Sequence, residues 1–268
     1  MRPLGVRIEA ALRAYDEDCR WDLIGGIVGE CPDDVLKSAT DLLRGADDRG
    51  RTLGADILGR LVGSEPRTHE AVLHALLEGI ALENSPSPLA SIVAAIGHVG
   101  DPGALGLIFP LAMHPSAEVR LAVAFAVATI SPQPLVPEAR GALIRLSQDD
   151  DPEVRDWATF GLGTLSDADG PDVRAALLAR AEDSYRETRA EALFGLAVRR
   201  DPRAVPHLIR ALESPHVGGL EVDAAAAAAD PRLLPALWAL QQAGRADEVR
   251  LRRAIDRCSG SERPALIS

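Results

Sequence analysis

The sequence predicts an all-α protein, a right-handed α-α superhelix (solenoid) of about 13–15 helices. Three observations carry this. Of 268 residues, 44 are Ala and 36 are Leu, both strong helix formers. Aromatic residues make up only 3%, and the chain lacks the β-branched and aromatic runs of a sandwich or barrel. A short frame also recurs along the chain at about 30–40 residues, the period of helix-pair repeats. A hydrophobic content of 47% excludes a disordered chain.

In chain order, the frame is anchored near residues 20, 51, 89, 120, 155, 189, 218 and 250. Arg20 with Ile27-Val28 is a weak first copy, and Arg51 with Leu58-Gly59 and Leu61 is a clearer one. In the next copy Leu89 takes the Arg place, followed by Ile96-Gly97 and Val99. Ser116-Ala117-Glu118-Val119-Arg120 leads to Val127-Ala128 and Ile130. The fullest copy runs from Asp150-Asp151-Pro152-Glu153-Val154-Arg155 to Gly161-Leu162-Gly163-Thr164-Leu165. Arg189 follows with Leu196-Ala197, then Gly218 ahead of the degenerate run Ala224 to Ala229. Asp247-Glu248-Val249-Arg250 restates the opening.

Each period reads as two helices. The first, as in 153–165, carries Val154, Ala158, Leu162 and Leu165 on one helical face. Small residues at 161 and 163 allow a neighbouring helix to come close. Asp-Pro turns at Asp101-Pro102, Asp201-Pro202 and Asp230-Pro231 then open the second helix, since Asp caps well and Pro suits a first turn. Val205, Leu208, Ile209 and Leu212 form the buried stripe of one such helix. The expected organisation is a single solenoid over 1–258. Pieces 1–19 and 244–258 cap it, and 259–268 form a loose tail.

The Val-Arg pairs (Val119-Arg120, Val154-Arg155, Val249-Arg250) and Leu-Gly pairs (Leu58-Gly59, Leu162-Gly163) resemble the HEAT repeat. In particular they resemble the short Asp/Pro-rich type also found in phycobilisome lyase-like proteins. The resemblance covers about 20–257, is strongest at 116–213, and speaks to architecture more than to function. It implies that second helices line a concave face. It also implies that Arg51, Arg120, Arg155 and Arg189 pair with an Asp of the adjacent turn, tying repeat to repeat.

Motifs for chemistry are sparse. No GxSxG, phosphate loop or GxGxxG is present, and the glycines of Gly161-Leu162-Gly163 serve helix packing. His69-Glu70 and His74 are five residues apart, not the four that put two ligands on one helix face. His69-Glu70 is similar to the His-Glu pairs of deoxyhypusine hydroxylase, a HEAT-repeat di-iron enzyme, but that family uses several pairs and this chain has one. The acidic turns Asp47-Asp48 and Asp149-Asp150-Asp151 read as helix caps. The sequence therefore nominates no catalytic, metal or cofactor-binding residue, and the expectation is a protein that is not an enzyme. Cys19, Cys31 and Cys258 form no CxxC pair, which suits a reducing compartment such as the cytoplasm. No stretch approaches the length of a spanning helix.

Two surfaces are candidates for binding. Phe125, Phe160 and Phe194 sit five residues after their anchors, with Trp157 beside Phe160, and predict an outer aromatic ridge that docks a partner or packs neighbouring helices. Arg140, Arg145, Arg174, Arg180, His207 and Arg210 fall on second helices, off the apolar stripe, and predict a basic strip on the concave face. The net charge of −11, with 201–268 summing to zero, argues against nucleic acid. A scaffold or adaptor for a protein or peptide partner is the leading expectation. The alternatives are a lyase-like handler of a chromophore or prosthetic group, an immunity or inhibitor protein masking a basic partner, and a HEAT-like DNA glycosylase.

Overall fold

The computed structural model describes residues 3–260, and the predicted tail lies outside these apart from 259–260. Among the described residues every regular element is helical, and the chain divides into two compact units, 1–132 and 133–268. The first holds α1 (Leu4–Arg13), α2 (Glu17–Ile27), α3 (Pro32–Leu43), α4 (Asp48–Ser64), α5 (His69–Leu82), α6 (Pro86–Val99), α7 (Leu105–Ile108) and α8 (Ala117–Ile130). The second holds α9 (Pro137–Leu146), α10 (Pro152–Gly163), α11 (Pro171–Arg180), α12 (Arg186–Val198), α13 (Ala204–Glu213), α14 (Gly219–Ala228), α15 (Leu234–Ala243) and α16 (Glu248–Cys258). Fifteen of the sixteen are ten residues or longer; α7 is a single turn between 3₁₀ segments. The fold class is the all-α helix-pair repeat. The even-numbered helices are the first helices of the repeats.

Local chemistry sets the helix starts. Asp16, Asp47, Asp151 and Asp247 cap α2, α4, α10 and α16, each accepting a backbone N–H of the first turn. The Asp-Pro turns behave differently from a simple helix start. Asp101 accepts from Gly103 N–H at 2.7 Å, Asp201 from Arg203 N–H at 3.0 Å and Asp230 from Arg232 N–H at 2.9 Å. An acceptor two residues before its donor tightens the chain into a short turn, 3₁₀ at Pro102–Ala104 and Pro231–Leu233, and the α-helix begins only afterwards.

The core follows the expected stripes with two corrections: in α13 Val205, Leu208 and Leu212 are buried but Ile209 is only half-buried, and α10 ends early. Val154, Ala158 and Leu162 are fully buried, but α10 ends at Gly163 and Leu165 lies beyond it, exposed. Both Thr164 and Leu165 N–H groups turn back to the Phe160 carbonyl, which closes the helix two residues early. In α14 the fourth residue, equivalent to Arg51 in α4 and Arg155 in α10, is Val222, and Gly218 is the N-cap.

Within each unit, consecutive first helices touch at small residues. The twelfth residue of one faces the tenth residue of the next. A Cβ on Gly59 would lie 3.0 Å from Ala95, and one on Gly97 would lie 3.1 Å from the Ala126 Cα. A Cβ on Gly163 would come 2.8 Å from the Glu191 carbonyl oxygen and 3.4 Å from the Gly195 Cα. At Gly163 backbone meets backbone, and at Gly97 the Phe125 ring also lies within 2.7 Å of a built Cβ, so bulk here forces helices apart. Gly141 in α9 has nothing within 4 Å of a built Cβ. Gly163→Ala should therefore destabilise by about 1–3 kcal/mol through overpacking. Gly141→Ala should stabilise by about 0.5–1 kcal/mol through helix propensity. Urea-unfolding midpoints that move in opposite directions are the expected result.

Candidate functional site

The repeat junctions are built on the fourth residue of each first helix. Arg155 donates from Nη1 to the Asp149 and Asp150 carbonyls at 2.9 and 3.0 Å. Its other edge donates to both oxygens of Asp183, Nε at 2.9 Å and Nη2 at 3.0 Å. Arg51 repeats the arrangement with the Gly45 and Ala46 carbonyls and with Glu83 at 2.7 Å. Arg120 reaches the His114 and Pro115 carbonyls at 2.9 and 3.0 Å. The clamp thus closes carbonyls left open before its own helix, and in the Arg51 and Arg155 copies it also grips an acid of the following junction.

That acid lies six residues before the next helix's fourth residue and does a second task. Asp183 accepts from Tyr185 N–H at 2.9 Å, Glu83 from Ser85 N–H at 2.8 Å and Asp149 from Asp151 N–H at 3.0 Å. At the copy where Leu89 replaces the arginine, the corresponding residue is His114, whose Nδ1 accepts from Ser116 N–H at 3.1 Å. Arginine and acid are absent together. Burial pushes the Asp183 carboxyl up. Hydrogen bonds from Arg155 and Tyr185 N–H, with the Arg155 and Arg180 charges, outweigh it and hold the carboxyl below its ordinary value.

The fourth clamp is incomplete. Arg189 donates to the Asp183 carbonyl at 2.6 Å. Six residues before Val222, where the acid is due, stands His216. Among the described residues no carboxylate lies within ion-pair distance of Arg189. Its half-buried side chain lines a cavity of ≈ 350 Å³ with His207, Arg210, His216, Glu182 and Glu221. Glu221 is buried and committed elsewhere, accepting from Gly218 N–H at 3.0 Å and pairing with Arg186 at 3.6 Å. Glu182 is taken by Arg210 and, at 3.3 Å, by His207. The cavity therefore presents a guanidinium edge with unused donors, beside an imidazole, at a place built for a carboxylate.

The six residues proposed as a basic strip lie on α9, α11 and α13, and most are neutralised locally. Arg140 faces Asp172 at 3.3 Å, and Arg174 pairs with Asp169 at 2.6 Å and Asp201 at 3.5 Å. Arg180 joins Asp183 at 3.0 Å. Arg210 and His207 share Glu182 beside the Arg189 cavity, and Arg145 is exposed on α9. The four ridge aromatics are all half-buried on first helices. Trp157 and Phe160 meet edge to face, centroids 5.7 Å apart. Phe125 packs over Gly97, its ring centroid 4.9 Å from that of His98. Sequence reasoning did not find His216 or the vacancy at Arg189. The signal was the −6 position, which needs the helix register of α14 to be read. No three His, Cys, Asp or Glu side chains converge as a metal site among the described residues.

A family model of HEAT repeats matches residues 73–163 and 111–187. Residues 73–187 of this chain are thus built of HEAT repeats. Among solved structures it is similar to YibA from Escherichia coli, with 24% identity and a TM-score of 0.77 over 95% of this chain and 92% of that one. It is similar to importin β, with 12% identity and a TM-score of 0.59 over 96% of this chain and 43% of that one. The CpcE–CpcF complex of phycocyanin lyase from Nostoc sp. PCC7120 has 15% identity and a TM-score of 0.51, over 85% of this chain and 88% of that one. These likenesses show the fold. No curated protein sequence matches the chain. No helix among the described residues is long and apolar enough to cross a membrane.

The buried Asp201 of the Asp-Pro turn before α13 makes stability depend on pH. A hydrogen bond from Arg203 draws the Asp201 carboxyl down to about 2 against the opposing effect of burial, helped by Arg203 N–H and the Arg203 and Arg174 charges. An Asp in the unfolded chain titrates near 3.9. The folded value is the lower one, so the contribution is fully present above about pH 4 and vanishes as pH falls to about 2. It is on the order of 2 kcal/mol. Asp201→Asn should lower the Tm at pH 7, and the gap to the parent should close between pH 4 and 2 in thermal melts.

Proposed function

We propose that the protein is a non-enzymatic binding module for a protein or peptide partner, and that a carboxylate of the partner completes the Arg189 clamp. The observation that carries this reading is the missing junction acid: the Arg51 and Arg155 clamps each hold an acid, whereas Arg189 faces His216 across an open cavity. A carboxylate supplied from outside meets charge-assisted donors already fixed by the Asp183 carbonyl, so little ordering is left to do on binding. Glu182 partly screens the Arg210 and His207 side of the cavity, which favours a single acidic side chain or chain terminus over a polyanion. A soluble repeat protein with the free cysteines Cys19, Cys31 and Cys258 fits work in the cytoplasm.

His216→Asp tests the reading, because it supplies the missing acid from within. It should raise stability by about 0.5–1 kcal/mol and abolish binding of a fluorescent Asp/Glu-containing peptide that the parent captures. Anisotropy titrations of both proteins, with a Gln/Asn version of the peptide as control, read the outcome. Equal binding by parent and variant, or by both peptides, overturns the proposal.

A further inference from the structure

The ninth residue of a first helix is Phe125 in α8, Phe160 in α10 and Phe194 in α12. In α4 and α6 the same place holds Asp56 and Ala94. The aromatic row therefore begins only at α8, since the three first helices before it, α2, α4 and α6, carry Gly25, Asp56 and Ala94 there, and a cavity of ≈ 390 Å³ opens beside them, lined by α2, α4 and α6. The close contact of Gly59 with Ala95 forms its floor, so side-chain bulk is missing at the bottom as well.

Polar groups converge on this cavity. Asp56 is only 8% exposed, and its Oδ2 has no hydrogen-bond partner. Arg20 Nη2 approaches that oxygen at 3.2 Å as an ion pair without forming a hydrogen bond. Burial pushes the Asp56 carboxyl up, and the Arg20 charge and the Ser91 hydroxyl offset this only in part. A carboxylate oxygen held in that condition lacks a donor, and because it is enclosed, a ligand hydroxyl meets it only once the Asp56 carboxylate turns toward the cavity. Arg60 lies one turn after Asp56 on α4, about 6 Å along the same face. Among the described residues Arg60 has no ion-pair partner. The exposed face of Trp21 forms a wall; its Nε1 donates to Glu17 at 3.2 Å, which fixes the ring. His98 stands opposite on α6, its ring against Phe125.

We infer that this cavity binds a small phosphorylated polyol, a sugar phosphate. The Arg20–Asp56 pair is neutral overall, so the group that meets Asp56 is an uncharged O–H donor and not a second cation. The unpaired Arg60 takes the anionic group one turn away. The flat Trp21 ring packs against the C–H face of a sugar ring. The charge order, hydroxyl donor at Asp56 and anion at Arg60, matches a molecule carrying both groups a few bonds apart. The volume admits a molecule of that size and not a folded partner. This site is in the first unit and is independent of the Arg189 reading, which concerns the second.

The test is isothermal titration of the full chain with ribose 5-phosphate and glucose 6-phosphate, alongside uncharged ribose and inorganic phosphate. Saturable binding of a sugar phosphate at least tenfold tighter than either control is expected. Ala94→Phe extends the aromatic row by one helix and fills the cavity, and it should abolish binding while leaving the circular-dichroism spectrum unchanged. Arg60→Gln, on an exposed position, should weaken binding tenfold or more. Binding that survives Ala94→Phe in a folded protein overturns the inference. So do equal affinities for inorganic phosphate and the sugar phosphates, or no binding of either sugar phosphate.

Discussion

Close backbone contact between consecutive first helices is the constraint on which the rest of each unit depends. Gly59 on Ala95, Gly97 on Ala126 and Gly163 on Gly195 bring helix surfaces close together. That spacing decides what neighbouring positions can do. Where a phenylalanine follows the contact, it is squeezed to half exposure and caps the seam, as Phe125 does over Gly97. Where Asp56 and Ala94 take that place, the same close approach leaves a hole lined by polar groups. One packing rule thus produces both the aromatic row and the cavity before it.

The second constraint is polar and sits at the other end of the same helices. Each helix pair leaves carbonyls open at the turn before a first helix, and burying them unpaired is costly. An arginine four residues into the helix closes them, and its free edge then reaches for an acid of the next junction. Arg155 and Asp183 are nearly buried together, so each requires the other; removing either leaves an uncompensated charge. The joint loss of arginine and acid at Leu89 and His114 follows from that mutual dependence. Arg189 keeps its carbonyl contact but has lost its acid, and a residue kept for one half of its work is left with the other half available.

Much of the fold was readable from residue order. The anchors Arg51, Arg120 and Arg155, the Leu-Gly pairs and the Asp caps are short-range signals, and each acts within one or two turns of where it stands. The aromatic row was also visible, because Phe125, Phe160 and Phe194 keep a constant offset from their anchors. The late start of that row was present in the same alignment at Asp56 and Ala94, but a missing aromatic has meaning only when a neighbouring helix fails to fill the space. The basic strip shows the opposite limit. Arg140, Arg174, Arg180 and Arg210 are bases on second helices, yet Asp172, Asp169, Asp183 and Glu182 neutralise them, and for Arg140 and Arg210 the acid comes from 32 and 28 residues away, beyond any local pattern.

By itself the sequence determined the class of object: helix pairs of a fixed period, joined at arginine-bearing turns, with small residues at the contacts. These follow from propensity, capping and periodicity, all of which act along the chain. Tertiary structure decided which charges are spent and which are spare. It placed Val222 rather than Gly218 in the repeat frame, which puts His216 at the acid's position in the lining of the Arg189 cavity. It also brought Arg20, Asp56 and Ser91 from three helices to one buried point. Ion pairing and desolvation depend on separation in space, and separation in space is set by how the helices stack.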